Sequence, residues 1–301
     1  MAKPRRLWLD WLVDRAVRGL LWVALRLPYG WRVPLMGAIL RAVGGIAGYA
    51  KRADEQLAWI FPHLTADERR AITAAVLDNF GRVTIENYST ADQLARAKAW
   101  VPHGPGLAAC EAALAQRRPI LFVSGHFGNY QAARAAMNVR GYAMGGLYRL
   151  MNNPFSNAHY IASVEGVGGA AFPRDRRGLA GFVKTLREGG QGAILIDQYV
   201  AQGALLDFLG QPAPTALSAA EMALKYNALL VPIYAERLKN GLDFDVQIEA
   251  PIPHSDAVTM TQELNDSLAA RVRACPAQWL WIHRRWKPHR VKAYFNAPSP
   301  Q

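Results

Sequence analysis

The side chain best placed for chemistry is a histidine at the end of an apolar run. In Pro119-Ile-Leu-Phe-Val-Ser-Gly-His-Phe-Gly-Asn-Tyr-Gln131, Ile120 to Val123 reads as a buried strand. Ser124-Gly125 break it, and Tyr130 to Arg140 reads as the helix that follows. His126 therefore stands where a strand hands over to a helix, which is where open α/β sheets place ligands. An imidazole there can stay near neutral, accept a proton and be oriented by a neighbour. Gln131 lies five residues on. Residues five apart on a regular helix point about 140° apart, so the two meet only if His126 precedes the helix, with Gly125 and Gly128 loosening the turn. The competing reading is a core-edge histidine on a Gly-rich turn.

Other polar groups fall at similar places. Asp197 ends the apolar run Ile194-Leu-Ile, and its alternatives are a role beside His126 at the same sheet edge, a cap, or an arginine salt bridge. Arg149 follows a predicted strand and Arg174 precedes a predicted helix. Both carry planar, permanently charged forks suited to phosphate. Arg176, Arg177, Lys184 and Arg187 either extend that surface or form a solvated helix face, the latter being favoured.

From residue 119 onward strand-like and helix-like runs alternate. The expected strands are 120–124, 143–149, 192–197, 229–235 and 244–250; the expected helices are 130–140, 154–165, 177–188, 217–226 and 261–274. This alternation predicts an α/β fold with a largely parallel central sheet flanked by helices. Residues 51–301 are read as one such domain, with N-terminal amphipathic membrane-associating helices, residues 1–50, packed on it. Thr65 with Glu68 three residues later marks a helix start.

Within the N-terminal segment, Leu9, Leu12, Val13, Ala16, Val17, Leu20 and Ala24 form one stripe at helical spacing, and Asp10, Asp14 and Arg18 lie opposite. A spanning helix needs about 20 largely apolar residues, and the charges deny it that length. Trp8, Trp11, Trp22 and Trp31 add rings that favour an interface. A helix lying on a membrane surface is expected. The glycines of 35–49 would pack closely on that helix or dip into lipid. The C-terminal Trp279, Trp281 and Trp286 with Arg284, Arg285 and Lys287 could bind a membrane interface, and His283 is read as structural.

The 301-residue chain is 51% hydrophobic, long enough to bury a sizeable core. Its net charge of +12 suggests an anionic partner. Basic–aromatic segments also stack on nucleic acid, but no RNP-type motif, zinc finger or helix-turn-helix pattern accompanies them, so no nucleic acid is expected. Two unpaired cysteines, Cys110 and Cys275, argue against zinc and against a disulfide framework, and suit a cytosolic setting.

Six islands, in order, resemble the lipid A biosynthesis acyltransferases and their glycerolipid acyltransferase relatives. His126 to Gln131 is similar to the box of His, four residues, then Asp or Glu, with Gln131 in the acid's place. Asn79-Phe-Gly-Arg82 with Glu86 resembles an Asn-x-Gly-Arg that precedes the sheet in the family. Tyr148-Arg-Leu-Met-Asn-Asn-Pro154 resembles Tyr-Arg-Pro-x-x-Asn-Pro, and Phe172 to Gly178 a Pro-Arg segment. Asp197-Gln198, with Phe208 to Thr215 after it, and Gln278 to Trp286, close to Gln-Trp-x-Trp-x-His-x-Arg-Trp, complete the set. The resemblance runs from about residue 7 to 290.

It implies acyl transfer from an acyl thioester, carried by acyl carrier protein or CoA, to a hydroxyl of a lipid A precursor. His126 would be the general base; Arg149, Arg174, Asn129 and Gln198 would contact substrate; no cofactor and no metal would be needed. The implied location is the cytoplasmic face of the bacterial inner membrane, peripheral or monotopic, with an anionic glycolipid as acceptor. In the family the acid of the box holds the imidazole in its working tautomer. Gln131 can accept a hydrogen bond but brings no charge. Either the acid comes from elsewhere, with Asp197 as candidate, or the chain is an impaired or non-catalytic lipid-binding homologue. Another glycolipid or an aminolipid is the alternative acceptor.

Overall fold

The computed structural model describes residues 7–287. The outer ends of the two expected units, 1–6 and 288–301, lie outside the described residues. Strand β1 (Ile120–Ser124) is buried along its whole length at the centre of a six-stranded sheet. The other strands of that sheet are β2 (Gly145–Tyr148), β3 (Ala171–Pro173), β4 (Gln191–Leu195), β7 (Leu229–Arg237) and β8 (Phe244–Ile248), in the order β3-β2-β4-β1-β7-β8. All neighbours pair parallel except β7 with β8. A separate antiparallel hairpin joins β5 (Ala204–Phe208) to β6 (Gln211–Thr215).

Four of the five expected main-sheet strands fall within a residue or two of their expected ends, and the first coincides. Strand β3 and the hairpin were not expected as strands. Pro212 and Pro214 deprive β6 of two donors, which restricts it to pairing with β5 alone.

Among the described residues six helices precede the sheet: α1 (Leu7–Arg26), α2 (Tyr29–Val43), α3 (Tyr49–Ile60), α4 (Ala66–Asn87), α5 (Thr90–Ala97) and α6 (Leu107–Ala115). Helix α4 starts at the expected capping box, in which Thr65 and Glu68 satisfy each other's backbone N–H. Helices α7 (Tyr130–Asn138), α8 (Asn157–Gly166), α9 (Arg176–Arg187), α10 (Ser218–Tyr226) and α11 (Ala257–Ala274) alternate with the strands and cover both sheet faces. Three of these begin on a side-chain cap: Asn129 for α7, Asp175 for α9 and Asp256 for α11.

The expected apolar stripe of α1 faces outward. Leu9, Leu12, Val13, Val17 and Leu20 are exposed, while Asp14 is only 2% exposed. Asp14 pairs with Arg15 and Arg18 and accepts from Ser156 Oγ at 2.9 Å. The polar side of α1 thus docks on the short 3-10 turn Pro154–Ser156, the reverse of a soluble amphipathic helix. No helix among the described residues is long and apolar enough to cross a membrane.

The glycines of α2 do not serve α1. Gly37 meets Gly81 of α4 at a close helix crossing, where a Cβ on Gly81 would overlap the Met36 carbonyl. Gly81→Ala is therefore expected to destabilise the fold by about 1–3 kcal/mol, since overpacking pushes backbone apart. Gly19→Ala, in open space on α1, should be neutral or slightly stabilising. Urea unfolding of the two variants measures the difference, and equal effects would mean the α2–α4 crossing is pliable.

The C-terminal aromatics lie inside the protein and not at an interface. Trp279, Trp281 and Trp286 are core residues, packed with Phe127, Phe208 and Leu268, and Arg285 is fully buried. The Arg285 guanidinium donates to the carbonyls of Gln198 and Pro214 and to Thr215 Oγ1. Those rings cannot serve a membrane interface in this fold.

Candidate functional site

Parallel pairing places the two key residues side by side. Ser124 of β1 lies opposite Leu195 of β4, and the Ile196 N–H donates to the Ser124 carbonyl at 3.1 Å. Two residues further along each strand, at the carboxyl edge of the sheet, come His126 and Asp197. His126 Nδ1 lies 2.8 Å from Asp197 Oδ1, and the His126 backbone N–H donates to Asp197 Oδ2 at 2.7 Å. A third donor, Trp279 Nε1–H, reaches the same Oδ2 at 2.9 Å.

The loop that carries His126 is held from three sides. Gly128, at φ 55°, tucks so tightly under Ala235 of β7 that a Cβ would overlap its carbonyl. The Asn129 N–H donates to that carbonyl at 3.1 Å, and the C-terminal segment adds Gly128 N–H to Gln278 O and Leu280 N–H to His126 O. From below, Asn79 of α4 donates to the Gly128 carbonyl.

Underneath lies a buried ion pair. Arg237, at the end of β7, forks onto both oxygens of Glu86 at 2.5 and 2.7 Å, and its Nε donates to Asn79 Oδ1. Glu86 also accepts from Asn129 Nδ2 at 2.9 Å. The Asn79 to Glu86 island therefore braces the histidine loop. Arg237 was not singled out in the sequence, because nothing local marks its partner, 151 residues away.

Electrostatics follow from this geometry. Burial favours the neutral form of His126, but the Asp197 charge and hydrogen bond outweigh it, and the imidazole pKa is raised above 6.5. Burial alone would raise the Asp197 pKa; the His126 charge and the hydrogen bonds from His126 and Trp279 hold it well below the carboxylate range instead. With Asp197 ionised, the proton sits on Nδ1 and the basic lone pair on Nε2.

His126 borders a cavity of about 760 Å³ along the carboxyl edge of the sheet. Its wall runs from apolar groups such as Phe122, Met144 and Met222 to a mouth carrying Arg149, Arg174 and Arg176. Arg149 and Arg174 are exposed there, and Gln198 lines the wall half-buried. Arg177, Lys184 and Arg187 lie on the exposed face of α9, away from the cavity lining.

Two expected site residues are placed otherwise. Asn129 is fully buried and caps α7, its oxygen taking the Gln131 and Ala132 N–H groups and its nitrogen donating to Glu86, and it does not line the cavity. Gln131 borders the cavity, but its Oε1 accepts from Arg134 Nη1 at 2.6 Å. Among the described residues, no hydrogen bond joins Gln131 to His126.

A base held by a buried carboxylate over a cavity at the edge of a parallel sheet suits a transferase acting on a large, partly apolar substrate. Residues 2–288 match the family described as bacterial lipid A biosynthesis acyltransferase, and the chain belongs to that family. Among curated proteins it is similar to the phosphatidylinositol mannoside acyltransferase of two Mycobacterium tuberculosis strains, 29% identical over 84 residues. That match spans 28% of this chain and 27% of the relative.

Removing one partner of the Glu86–Arg237 pair leaves a buried charge uncompensated. Glu86→Leu and Arg237→Leu should each cost about 3–5 kcal/mol of stability, and the double variant less than their sum. Additive losses in denaturant unfolding would show that the pair does not act as a unit.

Proposed function

We propose that this chain moves a fatty acyl group from an acyl thioester to a hydroxyl of a lipid A precursor, with His126 as general base and Asp197 as its orienting acid. The observation that carries this reading is the His126 Nδ1–Asp197 contact at 2.8 Å, with Gln131 turned to Arg134. Nε2 takes the acceptor's hydroxyl proton as its oxygen attacks the thioester carbonyl carbon. The tetrahedral intermediate collapses, the C–S bond breaks, and the imidazolium returns its proton to the leaving sulfur, giving an ester and a thiol. The thioester supplies the driving force, so the step calls for no cofactor.

The exposed arginines at the mouth suit the phosphates of a CoA or carrier-protein arm, or those of an anionic glycolipid. The mycobacterial relative supports a second acceptor class, a phosphoinositol-based glycolipid. The outward apolar face of α1, α2 and the turn after α2 supports a peripheral or monotopic position on a membrane, and it is the family that points to the cytoplasmic face of the bacterial inner membrane. Leu20 is 69% exposed, Trp31 70% and Ile46 90%.

Asp197→Asn should lower kcat by roughly 10²–10⁴, and His126→Ala should abolish turnover. Gln131→Glu should change the rate by less than about tenfold, because the new carboxylate would meet Arg134. The base must be neutral to work, so the rate should rise with pH through the raised His126 pKa. In Asp197→Asn that acid limb should move to lower pH, since the negative charge that raised the pKa is gone. Thiol release from dodecanoyl-CoA across pH checks both. A large gain from Gln131→Glu with a mild Asp197→Asn would return the orienting role to position 131.

Replacing Trp8, Trp11 and Trp22 together by Ser should weaken sedimentation with anionic phospholipid vesicles by roughly 10³-fold, each ring being worth on the order of 1.5 kcal/mol when buried. Unchanged vesicle binding would place the membrane contact elsewhere.

A further inference from the structure

The C-terminal segment reaches the histidine loop as an antiparallel bridge between Phe127 and Trp279. Gln278 fixes its course by taking the Arg237 N–H at 2.7 Å and donating to the Arg237 carbonyl at 3.0 Å. Trp279 is 1% exposed, with Trp281 edge-on at 4.7 Å and Phe208 at 5.5 Å. Packing of this kind needs rings, not donors. Trp286 in the same cluster shows as much, because its buried Nε1 has no hydrogen-bond partner among the described residues. Trp279 differs: its N–H ends on the carboxylate that orients His126.

We infer that Trp279 is a positioning residue of the acyl-transfer site, whose indole N–H locks the Asp197 carboxylate so that Oδ1 faces His126 Nδ1. The two oxygens divide the work. Oδ2 takes the His126 backbone N–H and the indole, and Oδ1 takes the imidazole. A carboxylate held at one oxygen by two donors from separate segments cannot turn about its own axis. It therefore presents the same lone pair to Nδ1 throughout the reaction, as preorganised catalysis requires. The indole also draws on the negative charge that would otherwise stabilise the imidazolium, which keeps the base from becoming too weakly dissociating. This inference rests on the acyl-transfer reading above.

The test replaces Trp279 by β-(3-benzothienyl)alanine, which keeps the bicyclic shape and has no N–H, with Trp279→Phe as a second variant. Turnover is read as thiol release from dodecanoyl-CoA across pH, and the titration of His126 by NMR of the ¹⁵N-histidine-labelled full chain. The expected result is a kcat about tenfold lower at unchanged KM, with the acid limb and the His126 titration both moved to higher pH. Parental kcat and titration in the benzothienyl variant would overturn the inference. So would a lower kcat with the His126 titration unmoved, because that outcome assigns Trp279 to packing alone. His126→Ala at the parental rate would instead remove the acyl-transfer reading, while the NMR titration still decides whether the indole acts on the Asp197–His126 pair.

Discussion

A carboxylate withdrawn from water costs several kcal/mol unless its lone pairs are filled and its charge is met. Asp197 meets that condition with three donors drawn from two distant parts of the chain, the loop after β1 and the C-terminal segment. Much of the architecture follows from keeping those donors in place. The sheet supplies the register that brings residues 126 and 197 together. Strand β7 and the Glu86–Arg237 pair hold the histidine loop from below. The tryptophan cluster holds the C-terminal segment against it.

Much of this framework is legible in the sequence because the sheet is buried on both faces. Ile120 to Val123 and Leu229 to Ala235 read as strands from their continuous apolar character, and His126 and Asp197 read as neighbours because each follows such a run. The proline-bearing β6 is not legible that way, since its pattern contradicts strand formation and only its partner β5 rescues it. The C-terminal tryptophans show the limit of composition. Aromatic and basic residues in alternation fit an interface or a core equally well, and only contacts with Phe127, Phe208 and Leu268, remote in the chain, place them inside.

Helix α1 teaches the complementary lesson. Its periodicity is correctly read as two-faced, but the pattern carries no information on which face meets the protein. Asp14 decides it. A carboxylate only 2% exposed, with two arginines and Ser156 around it, makes the polar face the docking face and leaves the apolar one outside. An outward patch of tryptophan and leucine that no part of the described chain covers is unusual for a protein surface facing water alone, and it marks an interaction surface.

Position 131 belongs to the surroundings of a buried arginine, not to the His126–Asp197 pair. Gln131 and Arg134 sit on one face of α7, and the Arg134 guanidinium is buried with no carboxylate partner among the described residues. Its donors are met by the Met144, Val164 and Gly168 carbonyls and by Gln131 Oε1. Burial lowers its pKa to about 10, yet it stays charged at neutral pH. An acid at 131 would meet the Arg134 guanidinium that Gln131 Oε1 now contacts, a permanently charged, forked partner. Asp197 already occupies the Nδ1 side of the imidazole. The glutamine oxygen is enough to complete the solvation of Arg134, and the charge balance of the site rests on the other side of the sheet edge.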